Sequence, residues 1–255
     1  MKLSSLFAAV LLVSVFSAES PARGVYRDIY DLSCFISAPR ERAITGSLLR
    51  SERSDHDASG VLFATDYPLK SRILVRAEMS YISLSTAGGI ESGFGDFMLR
   101  ARVRLIDRAG MHLFALGAVR TGSGSNAIFP YSSGSLDVHA GVGFIDSLAQ
   151  FTVWGEVTGV RVSNKPDGLS EEEDHGDYAG VSAGLVLPLS GRLAFHFGAS
   201  GYIFQSEGSR EIYYTACDYA HSRALGIFLS LQAEGGRSDE RAFDLGLRSG
   251  IRVRY

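Results

Sequence analysis

A long hydrophobic run is what this chain most clearly lacks. Beyond residue 22 no stretch of about 18 consecutive apolar residues occurs, which excludes a helical membrane protein. An excess of one charge is missing too. Lys+Arg 25 against Asp+Glu 28 gives a net charge of −3, and this removes the strongly basic face that a nucleic-acid partner requires. The part after residue 22 also lacks apolar stripes at i, i+3, i+4 and i+7. There are only two cysteines, Cys34 and Cys217, so a single bridge is the most the chain could form. Proline is low at 6, whereas glycine reaches 29.

One apolar run does exist, at the start. "MKLSSLFAAVLLVSVFSAES" carries a lysine, then eleven residues from Leu6 to Phe16, then small residues up to Ala22. This reads as a secretory signal peptide over 1–22, too short to span a bilayer. No cysteine follows it closely, so a lipid anchor is not expected.

What the rest has is alternation. In "DFMLRARVRL", Phe97, Leu99, Ala101, Val103 and Leu105 share one side, and Asp96, Met98, Arg100, Arg102 and Arg104 the other. "RILVRAEMSY" sets Ile73, Val75, Ala77, Met79 and Tyr81 against Arg72, Leu74, Arg76, Glu78 and Ser80. "SLDVHAGVGF", "RLAFHFGASGYIF", "ALGIFLSLQAE" and the last residues, "DLGLRSGIRVRY", repeat the period. Period two means β-strands. A soluble sandwich or a lipocalin-like barrel would show the same alternation with its apolar face turned inward. Strands of about 10–13 residues, glycine and serine beside the charges, and aromatics near strand ends favour the membrane version. The expected fold is therefore all-β, a single antiparallel transmembrane β-barrel over 42–255, which leaves no unpaired edge in lipid.

Loop parity gives the strand count. Short turns fall at about 69–71, 107–110, 146–148 and 188–192, and longer polar connections at 85–93, 123–134 and 164–177. Outer-membrane barrels pair short inner turns with long outer loops and have even strand numbers. Twelve strands follow if Ala43–Leu49 and Ile212–Tyr219 are strands, and ten if those two weak segments are not.

The last strand resembles the C-terminal signature of bacterial outer-membrane proteins, a terminal aromatic preceded by alternating apolar residues. Here Ile251, Val253 and Tyr255 fill it, with Ser249 departing from it. The resemblance implies that the barrel-assembly machinery reads this end, in the outer membrane of a Gram-negative bacterium. A narrower one covers about 93–205. "GFGDFMLRARVRL" (93–105), "RTGSG" (120–124) and "SSGSLDVHAGVGF" (132–144) resemble the outer-membrane proteins of the meta-pathway of phenol degradation and their relatives. Arg120 stands where that pattern has proline. The resemblance implies passage of small solutes, aromatic molecules among them.

If the apolar faces meet lipid, the inward set includes Arg72, Arg76, Glu78, Arg100, Arg102, Arg104, Arg248 and Arg252. Charges on the lipid face would cost about 2–4 kcal/mol each near the midplane, which fixes this orientation. Two readings of the arginines stay open: a track that favours anions, or arginine–acid pairs bracing a closed interior. The expected function is a narrow channel for small solutes, anionic or aromatic, with no enzyme activity and no cofactor. The alternatives are a closed structural or surface barrel and a rim hydrolase using Asp57 and His175. His139 and His196 lack a second metal ligand at diagnostic spacing. Cys34 and Cys217 could bridge in a compartment that permits disulfides, pinning the N-terminal segment 23–41 beneath or inside the barrel as a partial plug.

Overall fold

Alternating apolar residues become strands because each can then bury one face and present the other to lipid. The computed structural model describes residues 42–52, 56–70, 72–108, 110–125, 128, 136–148, 150–163, 177–204, 208–235 and 245–255. The signal-peptide region, the segment 23–41, Cys34 and His175 lie outside these.

Thirteen strand segments run in chain order: β1 Ala43–Glu52, β2 His56–Lys70, β3 Ile73–Thr86, β4 Gly89–Phe94, β5 Met98–Arg108, β6 Met111–Arg120, β7 Leu136–Ser147, β8 Thr152–Ser163, β9 Tyr178–Pro188, β10 Leu193–Phe204, β11 Gly208–Ala220, β12 Leu225–Glu234 and β13 Leu245–Arg254. Apart from β4 and β5, which both pair with β3, each pairs antiparallel with its sequence neighbours, and β1 pairs with β13 through Ala43↔Arg254 to Glu52↔Leu245. The sheet closes on itself. Both β4 and β5 lie along β3, β4 opposite Tyr81–Thr86 and β5 opposite Ile73–Glu78. They are two halves of one crossing, so the thirteen segments form a twelve-strand barrel.

The two weak segments are real strands, β1 and β11, and this rules out the ten-strand count. One connection differs from expectation. Residues 85–93 read as a polar outer loop, yet β3 continues to Thr86 and turns tightly into β4. Gly89 takes φ 132°, a conformation L side chains rarely adopt, and the Gly88 N–H donates to Thr86 Oγ1 at 3.2 Å. Serine, threonine and glycine read as a loop by composition, while the ladder pairs them as a hairpin.

Outward positions carry a continuous apolar belt, including Leu48, Phe63, Met79, Val142, Leu229 and Ile251. Inward positions on the same strands hold polar groups such as Thr45, Asp66, Asp137, Ser230 and Arg248. Among the described residues no helix is long and apolar enough to cross a membrane, so the crossing is made by strands.

Candidate functional site: the barrel interior

The interior has two walls of different chemistry. β13, β1, β2, β3 and β5 are consecutive in the sheet and supply Arg248, Arg252, Asp66, Arg76, Glu78, Arg100, Arg102 and Arg104. Arg76 sits between two carboxylates. Its Nη1 lies 3.1 Å from Asp66 Oδ2, and its Nε donates to Glu78 Oε1. Glu78 in turn is within electrostatic reach of Arg100 and Arg248. Arg248 Nε donates to Ser47 Oγ at 3.0 Å. The side chains of Arg104 and His112 both lie 2.8 Å from Asp107 at the inner rim. Arg72 is exposed in the inner turn before β3, outside the interior set.

The opposite wall joins an apolar and aromatic cluster to buried polar groups, Arg120, Asp137, His139, Gln232 and Glu234 among them. Phe114 and Leu116 of β6, Ile145 of β7, Trp154 of β8 and Tyr214 of β11 form one buried cluster, with Val186 of β9 packed against it. Trp154 and Tyr214 stack with ring centroids 6.3 Å apart and planes 19° apart. Glycines make room for them. A Cβ at Gly184 would come within 2.7 Å of the Trp154 indole, and one at Gly198 would collide with the Tyr214 phenol. Glu156, His196 and Asp218 interrupt the cluster with polar and acidic groups, and the His196 Nε2–Asp218 Oδ2 distance is 2.8 Å.

Cation–π contacts mark both seams between the walls. Arg102 of β5 lies over the Phe114 ring at 5.2 Å, and Arg248 of β13 lies over Phe228 of β12 at 5.5 Å. Arg102 also reaches across to Glu156 at 3.4 Å.

Towards the outer mouth the chain after β6 folds inward. Ser125 N–H donates to Phe94 C=O at 2.8 Å and Gly124 N–H to the Asp96 carboxylate at 3.0 Å. Ile128, fully buried, then packs on inward-facing Leu49, Ala58, Ile82 and Leu84, with Ile212 against the cluster. Sequence reasoning missed this residue. Its signal was an isolated "AIFP" inside a loop otherwise rich in serine and glycine. Arg120, the departure from the phenol-pathway pattern, is buried opposite Asp137 on β7.

Other sequence-predicted residues separate. Ile251, Val253 and Tyr255 face outward, and Tyr255 N–H donates to Arg42 C=O at 3.0 Å beside the first strand. Asp57 is exposed at the outer end of β2, and its suggested partner His175 lies outside the described residues. Among the described residues no group of three metal-ligating side chains occurs. Cys217 stands opposite Phe195 and Leu229, on the outward set. Its suggested partner Cys34 and the segment 23–41 lie outside the described residues.

No family model and no curated protein matches the chain. Solved structures do. An outer-membrane channel from Pseudomonas putida F1 superposes with a TM-score of 0.66 at 13% identity, covering 84% of this chain and 95% of that one. The NanC porin gives 0.61 at 8% identity, over 84% and 100% of the two chains. The KdgM porin gives 0.58 at 6%, over 83% and 99%, and was also solved in complex with disordered oligogalacturonate. At such identities the likeness is one of fold. A closed barrel with an apolar belt outside and charges within satisfies every backbone group in lipid, and its home is the outer membrane of a Gram-negative bacterium.

Proposed function

We propose that the chain is a narrow outer-membrane channel for small solutes, with small organic anions, aromatic carboxylates in particular, as its preferred class. The observation that carries this reading is the pairing of an arginine-rich wall with an aromatic one across the same lumen. Arg76, Arg100, Arg248 and Arg252 are four cations set among the three carboxylates Asp66, Glu78 and Asp218. Basic rings select anions, and flat rings offer a surface for an apolar body. Trp154, Arg248 and Ile128, each buried inside the barrel, keep the path narrow and limit the solute to small molecules. The KdgM complex with oligogalacturonate, a chain of sugar acids, supports an acidic solute in a lumen of this fold.

A closed structural barrel is the second reading, favoured by the pairing of Arg76 with Asp66 and Glu78 and of Arg102 with Glu156. Conductance separates the two. Refolded protein in a planar bilayer under a salt gradient should give small, steady currents with a reversal potential of anion-selective sign. Neutralising Arg100, Arg102 and Arg104 should move that potential toward zero. Silence from a folded, heat-modifiable barrel would replace the channel with the structural reading. In either case Ile251, Val253 and Tyr255 are proposed as the edge met by the barrel-assembly machinery.

A further inference from the structure

The inner mouth holds a cavity of about 270 Å³ that shares Arg252 and Asp218 with the charged set named above and is otherwise lined by different residues. Three arginines line it: Arg252 and Arg254 from the end of β13, and Arg192 from the β9–β10 turn. Arg254 is steadied by donation from Nη1 to the Arg223 C=O at 3.4 Å, and the turn by donation of the Ala220 N–H to the Arg192 C=O at 2.7 Å. One carboxylate is present, Asp218, held by His196 at 2.8 Å and within electrostatic reach of Arg252. His196 and Arg252 are each 7% exposed, and the His196 Nδ1 is buried without a hydrogen-bond partner among the described residues. Phe228 supplies an apolar floor.

We infer that this cavity is a binding site for a small monocarboxylate with a flat apolar body. Three guanidinium groups outnumber the one acid, and arginine binds carboxylates through paired N–H donors. The imidazole adds a polar edge, and the Phe228 ring faces the body of the ligand. At this volume the cavity suits a single-ring molecule, below the usual range of about 300–1,000 Å³ for drug-sized ligands. Binding here does not require that the barrel conduct.

The chain has one tryptophan, Trp154, and Val186, which packs against the cluster holding Trp154, lines the cavity. The Trp154 fluorescence is therefore a local reporter. The test titrates the refolded full chain in detergent with 4-nitrobenzoate, a quenching aromatic carboxylate, and with neutral nitrobenzene. Saturable quenching by the carboxylate, weakened about tenfold or more in Arg252→Gln and also in the rim variant Arg254→Gln, is the expected result. The rim variant keeps the test valid if loss of the buried arginine prevents folding. Quenching that rises linearly, or that is equal for the neutral compound and both variants, would overturn the site. Saturable binding in a barrel that carries no current would leave this inference standing and remove the channel reading. Current without saturable quenching would do the reverse.

Discussion

Arg102 on β5 meets Glu156 on β8, Nη2 to Oε2 at 3.4 Å, across the two strands that separate them in the sheet. The same guanidinium covers the Phe114 ring. One side chain thus ties the charged wall to the aromatic wall, and both partners are largely buried. Such a tie matters because a charge left alone inside costs more than the pair contributes.

Removing either end of this tie should destabilise the barrel. Arg102→Gln and Glu156→Gln are each expected to cost about 1–3 kcal/mol in urea unfolding from lipid vesicles. The double variant should cost less than their sum. Strict additivity would mean that the two groups do not interact.

The same two substitutions should act oppositely on ion selectivity if the lumen conducts. Loss of the Glu156 charge raises the net positive charge of the interior, and loss of Arg102 lowers it. Reversal potentials are expected to shift toward stronger anion preference in the first variant and weaker preference in the second. Shifts of the same sign would argue against a selectivity role for this pair.

On the outside, Leu229 of β12 is 48% exposed in the middle of its strand, at a position facing lipid. Leu229→Arg should lower folding stability in vesicles by about 2–4 kcal/mol. The exposed rim residue Arg223 can be replaced by leucine as a comparison and should change stability by far less. A tolerated arginine at 229 would place that face in water.

Close packing gives a third handle on stability. Tyr214 lies against Gly198, where any Cβ would collide with the phenol. Gly198→Val should destabilise by about 1–3 kcal/mol, as overpacking does. Tyr214→Ala in the same chain should recover part of the loss, read as the temperature at which the barrel loses its fast gel mobility. No recovery would trace the effect to the backbone instead of the ring.

Cys217 should behave as a lipid-facing thiol. In unreduced protein reconstituted in vesicles, a lipid-soluble maleimide is expected to modify it, while a charged thiosulfonate leaves it untouched until the barrel is unfolded. A mass showing the bridged chain, with neither cysteine alkylated, would restore the Cys34–Cys217 link.

The alternation that assigned sides to residues was readable because it is local. Leu99 and Arg100 must face opposite ways in any strand, and a lipid solvent leaves only one acceptable choice. The weak strands β1 and β11 were harder, since "AITGSLLRSE" and "GSREIYYTACDYA" are too polar on one face and too mixed on the other to stand out. The hairpin at 85–94 was misread for a related reason: its serines and glycines are stabilised by pairing with β3, a relationship that composition does not carry.

Period two, with strand length and the placement of aromatics, was enough to indicate a membrane β-barrel and to divide most strand residues between a lipid-facing and an inward set, because that division depends on neighbours two positions apart. Only the closed sheet decided which interior groups meet. Arg102 finds Glu156, Trp154 stacks on Tyr214, and Ile128 reaches Leu49 and Ile82, all at sequence separations set by register and barrel curvature. Contacts across a lumen depend on how many strands separate their bearers and at what height each side chain stands. No local pattern encodes either quantity, so the two walls and their seams emerge only when β1 closes on β13.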